Sequence, residues 1–97
     1  MSVAEARQAG SVFAVEKAWR LNPQVALRDE AFGALAYHYG NRRLVFLKSR
    51  TLVELVSSLE EYPSAAEAIG ALVPEGRRAS YRRALARLAD SEVIDAR

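Results

Sequence analysis

The hydrophobic pattern of this chain changes its period near residue 49, from two residues to between three and four. Before that point, apolar and aromatic side chains alternate along short runs, which is typical of half-buried β-strands. After it, apolar residues recur at i, i+3, i+4 and i+7 behind helix-start signals, which is typical of amphipathic α-helices. Strands followed by helices predict an α+β fold, with three helices packed on one side of a small sheet.

Three strands are predicted in the first half of the chain. Val25 and Leu27 alternate with Gln24, Ala26 and Arg28. An aromatic-rich run at 32–39 is followed by the turn pair Gly40-Asn41 and an apolar run at 44–47. Two such runs around a Gly-Asn turn favour a β-hairpin. We therefore expect a three-stranded antiparallel sheet.

Three helices are predicted in the second half. The spacings Thr51-x-x-Glu54 and Ser64-x-x-Glu67 match capping boxes, in which a hydroxyl accepts a hydrogen bond from the backbone amide three residues on. Each helix has one apolar stripe, formed by Leu52, Leu55, Val56 and Leu59, by Ala65, Ala68, Ile69 and Leu72, and by Tyr81, Ala84, Leu85 and Leu88. The third helix is expected over about 77–89, with an extended tail at Val93-Ile94, because that pair falls off its apolar face.

The residue inventory excludes most catalytic chemistry. The 97-residue chain has no cysteine and one histidine, His38, so it has no thiol nucleophile or cysteine-ligated metal, and a histidine site would depend on one residue. No P-loop or dinucleotide motif is present, and adjacent acidic residues such as Glu60 and Glu61 point apart. We expect no enzyme and no cofactor, and we interpret His38 as structural.

The domain and location predictions follow from length and patterning. We expect residues 1–16 to form a flexible arm and residues 17–97 to form one domain. No apolar run approaches the roughly 20 residues of a membrane span, and no signal peptide is visible. These features favour a cytoplasmic protein with no membrane partner.

Positive charge is concentrated in the third predicted helix, although the formal net charge is only +2. The residues are Arg77, Arg78, Arg82, Arg83 and Arg87. They indicate either a solvated helix face or a surface for an anionic partner. A winged helix that binds DNA is one alternative. Against it, the arginines divide between both flanks of the apolar stripe, and the helix lacks the Asn and Gln that read adenine.

The third predicted strand, residues 44–47, is apolar on both of its alternating faces. Such a strand is either buried on both sides or has a second face that awaits a partner. An edge strand of a small sheet can accept an extended peptide, because its unpaired backbone groups form hydrogen bonds with the added strand. The same edge could instead join two copies of the chain, and the residues alone leave these alternatives open.

Three segments carry a resemblance to a known family. They are AWRLNPQVALR at 18–28, FGALAYHYG at 32–40 and RRLVFLK at 42–48. These segments resemble the PqqD-like peptide-recognition elements of mycofactocin biosynthesis, over about residues 13–95. One departure is Asp90-Ser91-Glu92, because a glycine before the final apolar pair is commoner in that family.

The resemblance implies a winged-helix-like domain that does not bind nucleic acid. The leader of the mycofactocin precursor peptide would add as a strand beside the third strand, against the third helix, for presentation to a radical S-adenosylmethionine maturase. The partner enzyme would carry the iron–sulfur cluster and the cofactor. Carried over by position, the peptide-binding residues are Arg43, Leu44, Val45, Phe46 and Leu47 on the strand, and Arg78, Tyr81, Arg82, Leu85 and Leu88 on the helix, with Ser80, Ala84 and Arg87 nearby.

Overall fold

The computed structural model describes residues 13–97 and confirms the α+β, winged-helix-like architecture. The strands are β1 (Trp19–Leu21), β2 (Val25–Glu30), β3 (Gly33–His38), β4 (Leu44–Leu47) and β5 (Ile94–Ala96). The helices are α1 (Arg50–Ser58), α2 (Ala65–Leu72) and α3 (Arg78–Asp90), with 3₁₀ turns at Leu59–Glu61 and Glu75–Arg77.

The predicted three-stranded sheet is present, in the order β2-β3-β4, with both pairs antiparallel. Gly33 begins β3 at φ 151°, and a Cβ there would lie 2.1 Å from the carbonyl oxygen of Leu47. Only glycine fits, because both the backbone angle and the close approach of β4 exclude a side chain.

A second sheet, which the sequence pattern did not predict, pairs β1 with β5. The predicted extended tail is therefore a strand from Ile94 onward. Arg20 and Asp95 face each other in the register, and Arg20 Nε donates to Asp95 Oδ1 over 3.0 Å. This hydrogen bond and the carboxylate charge raise the pKa of Arg20. The pairing joins the beginning and the end of the domain.

The core lies between the β2–β3–β4 sheet and the helices, and it contains most of the predicted apolar stripes. Leu52, Leu72 and Ala84 are half-buried, while the other stripe residues are buried. The largest fully buried side chains are Leu47, Leu55, Leu59, Leu85, Ile94, Val56 and Val93. Each helix thus packs one face inward, as the spacing predicted.

One predicted cap is confirmed and the other is wrong. Ser64 Oγ accepts from Glu67 N over 3.1 Å, so the predicted cap at α2 is correct. At α1 the cap is Ser49, whose Oγ accepts from Leu52 N over 3.0 Å. Thr51 lies inside the first turn because Ser49, still extended at the end of β4, starts the helix two residues earlier.

The predicted N-terminal arm lies mostly outside the described residues, which begin at Phe13. The part that is described packs on the domain. The ring of Phe13 lies 4.8 Å from that of Trp19, and Ala66 N donates to Val15 O over 2.8 Å. The proposed boundary at residue 17 stays a prediction.

Candidate functional site

The first element of the site is the free edge of β4. His38 N donates to Arg43 O over 2.9 Å, and β4 pairs with β3 along one side only. Residues in an antiparallel pair alternate between bonded and non-bonded positions. Val45 and Leu47 therefore direct their backbone groups at β3, whereas Leu44 and Phe46 direct theirs outward. Within residues 13–97, no strand pairs with that outward side.

The second element is α3, which runs alongside β4 in the opposite direction. The Tyr81 hydroxyl, in the first turn of α3, lies 2.9 Å from Ser49 Oγ just beyond the end of β4. At the other end, Asn41 Nδ2 donates to Ser91 O over 3.4 Å, just before β4 begins. These two contacts fix the helix along the strand and bring together the two elements that the sequence predicted would bind a peptide.

The predicted strand residues divide between surface and core. Leu44 is 56% exposed and Phe46 is 54% exposed, whereas Leu47 is fully buried and Val45 is half-buried. Arg43 is exposed. Of the two alternatives for this strand, burial on both sides is excluded, because β4 has one inward face and one open face.

The predicted helix residues divide in the same way. Tyr81, Leu85 and Leu88 belong to the core, and Tyr81 keeps a small exposed fraction of 8%. Ser80, Arg82 and Arg87 are exposed, and Ala84 is half-buried. Side chains at the surface of α3 are therefore mainly polar and cationic.

Arg78 has a structural contact that the sequence did not indicate. Its Nε donates to Val73 O over 2.9 Å and its Nη2 donates to Gly70 O over 3.0 Å, so it satisfies carbonyl groups at the end of α2. The guanidinium of Arg77 instead lies 5.9 Å from the centre of the Tyr81 ring. Arg77 was not among the predicted site residues, although its i, i+4 spacing from Tyr81 on a helix is a usable signal.

The open face of the β2–β3–β4 sheet, here called the outer face, carries a cluster that the site prediction did not include. Leu35 and Tyr37 are register partners of Phe46 and Leu44, and Phe32 stacks on Phe46 with ring centroids 5.5 Å apart. An open depression of about 380 Å³ lies here, lined by Ala26, Leu27, Arg28, Leu35, Tyr37 and Leu44. In the sequence, the alternation of side chains along β3 indicates which of them lie on this face.

His38 supports the β3–β4 turn. It is 3% exposed, and its Nδ1 accepts from the amides of Gly40 and Asn41 over 2.9 and 3.1 Å. Nδ1 therefore acts as an acceptor, and Nε2 lies 3.3 Å from Asn22 Nδ2. This geometry agrees with a structural histidine. Within residues 13–97, no cluster of three or more His, Cys, Asp or Glu could hold a metal, and no helix has the length and apolarity to cross a membrane.

The fold and the site together define a class: a small winged-helix-like domain with an open strand edge beside its third helix. The sequence profile of the Peptide chaperone MftB family matches residues 18–95. The chain belongs to this family. That result confirms the resemblance found in the strand segments.

Three relatives described as "Peptide chaperone MftB" are similar to most of the chain. The one from Mycobacterium tuberculosis is 46% identical over 93 residues, covering 94% of this chain and 85% of the relative. The one from Mycolicibacterium smegmatis is 47% identical over 83 residues (84% and 81%), and the one from Mycobacterium ulcerans is 44% identical over 94 residues (94% and 84%). No solved structure matches the chain significantly.

Proposed function

We propose that this chain is a non-catalytic chaperone for the precursor peptide of mycofactocin. It binds the leader region of that peptide by strand addition and presents the peptide to a radical S-adenosylmethionine maturase. Membership in a family of peptide chaperones supports a peptide ligand. The observation that carries the binding mode is the outward backbone of Leu44 and Phe46 on an edge that no described strand occupies.

Strand addition uses the backbone for affinity and side chains for selection. The amide and carbonyl groups of Leu44 and Phe46 would bond to alternate residues of the peptide. The peptide's side chains would then point alternately toward α3 and toward the outer face. Arg82 and Arg87 are exposed on α3, and an acidic leader would be attracted to them, mainly through faster and better-oriented encounter.

The test removes one outward amide without removing the strand. Leu44→Pro deletes the donor at the first residue of β4, a position where an edge strand tolerates proline. Leu44→Ala is the matched control, because it loses the side chain and retains the amide. Calorimetric titration with the synthetic leader peptide should show roughly three- to tenfold weaker binding for Leu44→Pro than for Leu44→Ala.

A second substitution separates edge binding from sheet integrity. Val45→Pro removes an amide that faces β3, so it should disrupt β3–β4 pairing and destabilise the protein itself. Equal affinity of Leu44→Pro and Leu44→Ala for the leader would contradict strand addition at this edge. Binding of duplex DNA with steep salt dependence would instead favour the nucleic-acid alternative.

A further inference from the structure

The outer face of the β2–β3–β4 sheet exposes large apolar side chains that nothing described covers. Phe32, Tyr39, Leu44 and Phe46 are between 43% and 62% exposed. The register places Leu35 opposite Phe46 and Tyr37 opposite Leu44, so the side chains form one continuous surface. On a small domain, a continuous apolar surface of this kind indicates an interaction site.

This surface is ordered by contacts among its own rings. Phe32 stacks on Phe46 at 5.5 Å, and Tyr37 meets Tyr39 edge to face at 5.1 Å. The depression of about 380 Å³ lies on the same face of the sheet, and Tyr37 is one of its lining residues. Aromatic side chains that are already fixed lose little entropy on binding, and such residues dominate the energetics of protein interfaces.

Cations flank the surface along β4. Arg42 and Arg43 precede the strand and Lys48 follows it, and all three are exposed. Within residues 13–97, none of the three has a carboxylate within 4.0 Å, whereas Arg28 pairs with Glu30 and Arg50 with Asp29. The complementary partner is therefore apolar at its centre and carries carboxylates at its edge.

Two possible occupants from this chain match that description poorly. A second copy packed face to face would present the same cationic border, and not the carboxylates that these cations require. Residues 1–12 contain no aromatic residue and only one acid, Glu5, balanced by Arg7. A different protein with an acidic border fits the charges better than either.

We infer that the outer face docks the enzyme that modifies the bound peptide. This inference rests on the proposed function, because it identifies the second partner of the same chaperone. Leu44 and Phe46 direct their backbone to the peptide edge and their side chains to the outer face. An enzyme seated on this face is therefore adjacent to the added strand, and the peptide's own alternate side chains extend the surface that the enzyme contacts.

The test measures enzyme docking and leader binding separately. The probe is the purified mycofactocin radical S-adenosylmethionine maturase, with biolayer interferometry against immobilised full-length chain. Tyr37→Thr removes a ring from β3, whose backbone is already paired on both sides, so the peptide edge is untouched. Lys48→Glu reverses a flanking charge, and Arg83→Glu on α3 makes the same charge change away from the outer face.

Tyr37→Thr should weaken enzyme binding about tenfold or more, and Lys48→Glu about threefold or more. Leader affinity should stay within about twofold in Tyr37→Thr, which leaves every charge beside the peptide edge in place. Arg83→Glu should leave enzyme binding unchanged. Thermal melts identify any variant that fails to fold. If Tyr37→Thr fails to fold, Phe32→Ser, in the β2–β3 turn, is used in its place to test the contribution of the aromatic rings.

Unchanged enzyme affinity in both the ring variant and the charge variant would overturn the inference. Conversion of a wild-type dimer to a monomer by Tyr37→Thr, seen by sedimentation, would also overturn it, because a second copy would then occupy the face. The leader could fail to bind the wild type while enzyme docking still depends on Tyr37 and Lys48. That result would contradict the proposed strand addition and would still support the docking surface.

Discussion

The hydroxyl of Tyr81 lies 2.9 Å from Oγ of Ser49, the same oxygen that accepts the Leu52 amide at the start of α1. One serine side chain therefore connects the end of β4, the beginning of α1 and the first turn of α3. The contact fixes the position of α3 beside the free edge. Its loss should affect both the stability of the domain and the geometry of the candidate peptide site.

Ser49→Ala should lower the free energy of unfolding by about 1–2 kcal/mol, because it removes the cap and the bond to Tyr81. Thr51→Ala is the matched control, since Thr51 lies within the first turn. Its effect should stay below about 0.5 kcal/mol. Urea denaturation measures both values. A larger loss for Thr51→Ala than for Ser49→Ala would mean that the cap has been assigned to the wrong residue.

Glu92→Gly should raise the free energy of unfolding by about 0.5–1 kcal/mol. Glu92 follows α3 at φ 65°, where a side chain is strained and glycine is not. Glycine also makes the unfolded chain more flexible, so part of the gain is offset. Glu92→Ala retains the Cβ and should give no comparable gain. Thermal denaturation of both variants checks this prediction, and equal stability of the two would contradict it.

Two glycine substitutions should act in opposite directions. Gly33→Ala should cost at least about 2 kcal/mol, because the new Cβ would collide with the Leu47 carbonyl oxygen at an unfavourable φ. Gly70→Ala should stabilise the protein by about 0.5–1 kcal/mol, since α2 leaves open space there and alanine favours the helix. Chemical denaturation distinguishes them. A stable Gly33→Ala protein would refute the close approach of β3 and β4.

Arg82→Glu and Arg87→Glu should weaken leader binding more at low salt than at high salt, because exposed charges are screened as ionic strength rises. Arg28→Glu is the matched control, since Arg28 lies on β2 and not on the β4 edge. Calorimetry at two salt concentrations measures the difference. Unchanged affinity for Arg82→Glu and Arg87→Glu at low salt would remove the electrostatic part of the proposed mechanism.

The sequence predicted those elements whose signals are local. Period-two alternation identified β2, and an aromatic-rich run and an apolar run on either side of the Gly40-Asn41 turn identified β3 and β4. The i, i+3, i+4 spacing identified the buried faces of all three helices. The pairing of β1 with β5 was missed, because each strand has three residues and the partners lie at opposite ends of the chain. The cap was misplaced because Ser49 and Thr51 are both good capping residues, and only tertiary structure selects one.

The sequence predicted which strand and which helix form the candidate site, but not which of their residues are exposed or what those residues contact. Whether residues 44–47 are covered on both faces depends on the order of strands in the sheet, which no local pattern specifies. The contacts of Arg78 with Val73 and Gly70 arise from the turn between α2 and α3, so the sequence could not show that Arg78 is held by backbone carbonyl groups. The outer face could not be predicted from the sequence, because the register of three strands determines which side chains are neighbours on it.

The pairing of β1 with β5 has a consequence for how this domain connects to other polypeptides. Trp19 and Ala96 are register partners, so a linker fused before one and a linker fused after the other would leave from neighbouring positions. A unit with adjacent entry and exit points can be inserted into a loop of a larger protein as readily as it can be appended to a terminus. The β2–β3–β4 sheet would keep its strand order in either arrangement.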